Sequence, residues 1–244
     1  MPPNVLLIVA DDIPRNALGA YGARHGLSPA IDALASGRGG VAFDAAYTTS
    51  PLCTPARYSL LTGRYASNAS SIASHRPWNL VAFNTFLTGA VPTLAHRLRD
   101  AGYVTALVGK YHLGFPAGKP RSVSTPHRAA FNGGGRGLNY AELRAAVQRY
   151  AGFERVEALW GGNRQTARAA HHPEYMAARA TAVMREAAAS GRPWFVYFAV
   201  RAYERGRGIP TMPPKGLRMG DDLESAANKT ENTGGGDLRS DIQP

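Results

Sequence analysis

Three short stretches of this chain hold side chains suited to chemistry on an anion. The first is Cys53-Thr54-Pro55-Ala56-Arg57, continuing as Tyr58-Ser59-Leu60-Leu61-Thr62-Gly63-Arg64, and it holds the one cysteine among 244 residues. The spacing predicts a helix that starts here, with Thr54 as N-cap and Pro55 at the first helical position. A thiol at a helix start faces unpaired backbone N–H groups and the positive end of the helix dipole, which favour an anion. Arg57 lies one turn on, on the same face, placed to grip a tetrahedral oxyanion. The second stretch is Asp11-Asp12, adjacent carboxylates of the kind that suit a hard divalent cation such as calcium or magnesium. The third is Gly109-Lys110-Tyr111-His112-Leu113-Gly114, where Lys110 supplies fixed positive charge and His112 a titratable acid or base.

Each feature taken alone has an ordinary explanation. A lone cysteine is most often a small buried apolar residue, an Asp-Asp pair a solvated turn or a helix cap, and a loop Lys or His a surface residue. What raises them above that is the set of elements expected to carry them. Asn4 to Ala10 is continuously apolar and rich in β-branched residues, the pattern of a buried parallel strand, and it ends at Asp11-Asp12. Val41 to Tyr47 is expected as a second strand leading into the Cys53 helix. Tyr103 to Val108 is expected as a third strand, delivering the stretch from Gly109 to Gly114 at its end. Ligands bind outside the carboxyl ends of parallel strands, so all three stretches should meet at one sheet edge.

The helices alternate with those strands. Ser28 to Ala35 has Ser28 as cap and Pro29 at its first position, and Thr93 to Ala101 has Thr93 as cap and Gly102 as its stop. Leu138 to Tyr150 and Pro173 to Ala189 are further helices, and Trp194 to Val200 is the last strand. Residues 67–90 and 114–137 read as surface loops. The rhythm predicts an α/β fold, a mostly parallel sheet flanked by helices. Residues 1–200 form the expected catalytic region. In 201–244 Gly, Pro, Asp, Asn and Lys dominate without apolar periodicity, so that stretch is expected to be a low-complexity or disordered tail.

Composition fits a globular domain: hydrophobic residues make up 44% and aromatics 9%, too many for a disordered chain. A single cysteine excludes an internal disulfide. The longest apolar run, Val5 to Ala10, is too short to span a bilayer, so no transmembrane segment is expected. The residues before that run lack the basic region and long apolar stretch of a secretory signal. The formal charge of +11 suits an anionic partner. Its basic residues are mostly arginines scattered along the chain, without a basic block interleaved with aromatics, so nucleic acid is not expected.

Cys-x-Pro-x-Arg followed by Leu-Thr-Gly-Arg resembles the signature of the type I sulfatases, within the alkaline-phosphatase-like superfamily. Residues 3–12, the turn Ala17-Leu18-Gly19-Ala20-Tyr21-Gly22, and the blocks 91–106 and 109–114 are similar to that family as well, and residues 170–200 more loosely. The resemblance implies hydrolysis of sulfuric esters by formylglycine, made from Cys53 after translation by a formylglycine-generating enzyme. It implies a divalent metal, most often calcium, on Asp11, Asp12 and the modified residue 53. Arg57 would hold formylglycine, Lys110 would contact the sulfate oxygens, and His112 would take a proton as bound sulfate is expelled.

Part of the family pattern is not matched. A later Asp-Asn metal pair with a second lysine, and a Pro-His pair after the last strand, have no counterpart. Asp221-Asp222 and Glu231-Asn232 follow no apolar strand, Arg201-Ala202-Tyr203-Glu204-Arg205 stands where the histidine would be, and His171 and His172 precede a helix. The fold is therefore expected in truncated form, with activity of the chain in question. Two other readings stay open: a phosphomonoester, phosphodiester or phosphonate hydrolase of the same superfamily, and a non-catalytic anion-binding remnant. Natural substrate and oligomeric state are not written in the sequence. The compartment is equally open, since the family is often secreted, periplasmic or lysosomal.

Overall fold

Four strands alternate with helices, three of them where the apolar periodicity predicts. The computed structural model describes residues 2–11, 13–24, 26, 28–73, 85–113, 140–160 and 172–201. The strands are β1 (Val5–Asp11), β2 (Val104–Lys110), β3 (Arg155–Trp160) and β4 (Trp194–Arg201). They form one sheet in the order β1-β4-β2-β3, and every pairing is parallel. The described helices are α1 (Pro29–Ser36), α2 (Cys53–Thr62), α3 (Ser70–Ala73), α4 (Leu94–Asp100), α5 (Tyr140–Ala151) and α6 (His172–Ala189).

The two faces of the sheet bury different residues. Leu107, Phe195 and Tyr197 meet Tyr58 and Leu61 of α2, Ala95 of α4 and Val147 of α5 on one face. Ala106, Val108 and Val196 meet Met176, Ala180 and Val183 of α6 on the other. The strand alternation of period two thus feeds two helical layers, as a parallel sheet requires. All seven positions of β2 are buried, as expected of a strand covered on both faces.

Several expectations are corrected. Among the described residues β1 is an edge strand, paired with β4 alone, and Leu6 and Ile8 are 41% and 54% exposed. Residues 41–47 form no strand; they run as irregular chain with Phe43 and Tyr47 largely exposed. Strand propensity without a neighbouring strand to pair with does not make a strand. The apolar pattern does not predict β3, because Arg155 and Glu157 interrupt it. It lies at the other edge, where Arg179 bonds Glu157 at 2.8 Å and Arg155 pairs with Glu186. Within 67–90, Thr85, Phe86 and Leu87 are buried rather than on a surface loop. All of 114–137, and the tail from 202 to 244, lie outside the described residues.

Helix boundaries follow the predicted caps in two cases and depart in one. Thr93 caps α4 with its hydroxyl accepting from the His96 N–H at 3.2 Å, and Gly102 beyond it takes φ +90°. Ser28 stands before α1, with Pro29 first in the helix, but its hydroxyl donates to Asp32 Oδ1 at 2.9 Å and makes no capping bond. α2, however, begins at Cys53 itself, after Leu52, so Thr54 and Pro55 are its second and third residues and Thr54 is not the cap. The helix ends at Gly63, whose φ of +67° suits glycine and whose N–H reaches the Ser59 carbonyl.

Candidate active site

Because β1, β4 and β2 run parallel and adjacent, their C-terminal ends share one edge. Asp11 ends β1 and Lys110 ends β2. Asp11 follows Val5, Leu7 and Val9, which pack against the α2 side of the sheet. Strict alternation would send Lys110 the opposite way, with Ala106 and Val108 towards α6. Gly109 breaks that alternation. It has φ +104°, and the register with β3 shifts between Val108 and Lys110. A Cβ at Gly109 would lie 2.3 Å from the Ala199 carbonyl oxygen, so the close approach itself demands glycine. Beyond this irregularity the Lys110 ammonium reaches Asp11 Oδ2.

Arg57 completes the cluster from the first turns of α2. Its Nη2 donates to Asp11 Oδ1 at 3.1 Å, and its Nη1 donates to the Lys110 carbonyl at 3.0 Å and to the Tyr197 hydroxyl at 3.1 Å. Asp11, Arg57 and Lys110 are 6%, 3% and 2% exposed. Burial by itself raises the Asp11 carboxyl, but the hydrogen bond and charge of Lys110, joined by Arg57, outweigh it and hold the group below its usual value. Burial raises the Tyr197 phenol, with Arg57 pulling the other way, so the phenol stays neutral and can accept from the guanidinium. Two cations against one carboxylate leave this buried trio with a net positive charge. The Arg57 Nε is buried without a hydrogen-bond partner among the described residues. Such a site favours an anion.

Cys53 is the first residue of α2, half-buried and free. Its neighbour Thr54 is fully buried, and the Thr54 hydroxyl donates to the His112 carbonyl at 2.8 Å. His112 is itself buried and has φ +52°, a left-handed conformation uncommon for a residue with a side chain. The structure therefore joins Asp11, Arg57 and Lys110 directly, and ties His112 to the residue beside Cys53. Asp12 lies outside the described residues. Two contributors escaped the sequence reading. Tyr197 sits in an apolar strand and reads as core, and the Thr54 hydroxyl reads as a helix cap.

A divalent metal is not accommodated by the described donors alone. No three His, Cys, Asp or Glu side chains converge among the described residues. Asp11 is the carboxylate of this cluster, and both its oxygens already face cations, whereas calcium takes six to eight oxygen ligands.

Comparison with known proteins adds the lineage of this site. The sulfatase family pattern matches residues 3–203. Mouse steryl-sulfatase is 43% identical over 116 residues, a stretch covering 46% of this chain and 18% of the mouse protein. Human N-acetylgalactosamine-6-sulfatase is 37% identical over 124 residues, covering 46% of this chain and 22% of the human one. The chain thus spans about a fifth of the length of the curated relatives it matches. Among solved structures, a Bacteroides thetaiotaomicron 4S-sulf protein, described with metabolism of multiple glycosaminoglycans, superposes with a TM-score of 0.55 at 18% identity. It covers 95% of this chain and 49% of that one. The structure Ps i-CgsB gives 0.54 at 20% identity, covering 87% and 46%. At these identities the two structures share the fold and nothing finer.

Proposed function

The chain belongs to the sulfatase family, and from that membership we propose that it contributes the nucleophile half of a site that hydrolyses sulfuric esters. The observation that carries the reading is the buried, net-positive Asp11–Arg57–Lys110 cluster, whose Arg57 stands on the helix that begins with Cys53. A sulfate ester brings one negative charge on its three non-ester oxygens, and cleavage of the S–O bond develops more on the departing oxygen. Preorganised cations in a water-poor site stabilise that charge at no reorganisation cost.

Formylglycine made from Cys53 by a formylglycine-generating enzyme would supply an aldehyde hydrate, whose two hydroxyls serve attack on sulfur and later release of sulfate. The chain's own residues do the rest. Asp11 keeps the two cations together and is held ionised by them. Arg57 fixes the start of α2 against the end of β2. Lys110 presents positive charge towards the sulfate oxygens. His112 accepts a proton in the release step. A divalent metal, calcium by family resemblance, would take Asp11, Asp12 and the modified residue 53 together with donors beyond those described, so no step is assigned to it.

Mass spectrometry of the Cys53 peptide after co-expression with a formylglycine-generating enzyme is expected to show a loss of about 18 Da. Turnover of an aryl sulfate, absent in Asp11→Ala, completes the test. Unmodified cysteine, or turnover of aryl phosphate with none of aryl sulfate, would sink the assignment.

A further inference from the structure

The hydroxyl of Thr54 serves neither the helix start nor the chemistry assigned above. It belongs to a fully buried residue next to Cys53 and donates to the main-chain carbonyl of His112, 58 positions away. Three residues along α2, Arg57 donates to the Lys110 carbonyl. Helix α2 therefore grips two carbonyls of the segment leaving β2, one on each side of Tyr111. Tyr111 and Leu113 are 1% and 0% exposed, so the side chains flanking His112 are anchored in the core. Between them His112 holds φ +52°, a conformation that persists only where the surroundings impose it. The Thr54 bond acts on the C=O of that very residue.

We propose that Thr54 is a positioning residue that holds His112 in register with the nucleophile made at Cys53. The proposal rests on the sulfatase reading of the site and deepens it. The donor to the His112 carbonyl is covalently adjacent to residue 53, so nucleophile and proton acceptor share one rigid connection through the first turn of α2. A hydroxyl is required because the partner is a carbonyl oxygen. Threonine rather than serine fills the buried space with its methyl group, but serine keeps the donor.

The test compares Thr54→Val, which keeps the shape and removes the donor, with Thr54→Ser, which keeps the donor, both in the full 1–244 chain. Conversion of Cys53 is measured by mass in each, and turnover of aryl sulfate is expressed per converted chain. Thr54→Val is expected to lower kcat by about tenfold or more with KM within about twofold, since misplacing a catalytic group acts on the reacting geometry and not on binding. Thr54→Ser restores kcat. Amide exchange is read in parallel at Leu113, whose N–H belongs to the peptide unit of the clamped carbonyl. It is expected to quicken in Thr54→Val and to match the parent in Thr54→Ser. Equal kcat and equal Leu113 exchange in all three proteins would overturn the proposal, as would a serine variant as impaired as the valine one. If the parent protein itself does not turn over aryl sulfate, the functional reading fails separately. Leu113 exchange then decides the clamp by the same comparison.

Discussion

At the scale of residues, Asp11 carries the arrangement. Its two oxygens face two buried cations, and each cation lies on a different element: Arg57 on α2 and Lys110 on β2. Removing one member of a buried ionic group leaves uncompensated charge, which costs about 3–5 kcal/mol. Asp11→Asn keeps the size of the side chain and removes its charge, so it isolates this term. We expect the urea midpoint of Asp11→Asn to fall by that amount times the reciprocal of an unchanged m-value. A midpoint within error of the parent would mean that solvent or another group already neutralises the cations. Sequence marked Asp11, Arg57 and Lys110 as chemically suited residues. It did not reveal that they form one hydrogen-bonded unit with Tyr197.

At the scale of elements, the start of α4 is a pH-sensitive joint. Thr93 and His96 form a reciprocal cap: the His96 N–H donates to the Thr93 hydroxyl, and the Thr93 N–H donates to His96 Nδ1 at 3.2 Å. That second bond requires Nδ1 to accept, so it belongs to the neutral imidazole. Burial lowers the His96 pKa, the Arg99 charge lowers it further, and Asp100 opposes them weakly. The unfolded chain therefore binds the proton more readily than the folded one. Stability from this cap is complete above the unfolded value of about 6.5 and declines as pH falls from there through the lower folded value. Melting temperatures measured from pH 7.5 down to 5 should fall more steeply for the parent than for His96→Gln. Glutamine at this position caps without titrating. Parallel slopes would remove His96 from the account. Thr93 was legible as a cap from its place before Leu94. The role of the histidine was not, because glutamate and glutamine are the residues expected three positions after a cap.

At the scale of the whole molecule, the sheet is closed by long-range pairing. β4 lies between β1 and β2, so Leu6 pairs with Val196 and Leu107 with Tyr197, across most of the described chain. The apolar runs of β1 and β4 look alike in sequence but are buried very differently. Phe195 is fully buried and stacks on Phe153 at 6.2 Å between ring centroids, whereas Ile8 is 54% exposed at the sheet edge. Phe195→Ala should cost about 3–5 kcal/mol, the range for a large side chain deleted from a packed core. Ile8→Ala should stay within about 1 kcal/mol. Urea unfolding of the two variants checks the contrast. Equal losses would mean that the outer face of β1 is covered in solution.

The sequence by itself determined the parallel α/β class, the strands β1, β2 and β4, most helix limits and the identity of the residues suited to chemistry. Those features follow from periods of two and 3.6 residues, from cap and stop residues and from side-chain type, all local properties of the chain. Only the tertiary structure decided strand order, which put the apolar β1 at an edge, added the charged β3 at the other and left 41–47 unpaired. Only the fold, likewise, turned Lys110 through Gly109 onto the side of Asp11, and spent the Thr54 hydroxyl on His112 instead of on its own helix. Each of these depends on which distant backbone group comes within about 3 Å of a donor. That distance is set by the packing of the sheet against α2, which no local pattern encodes.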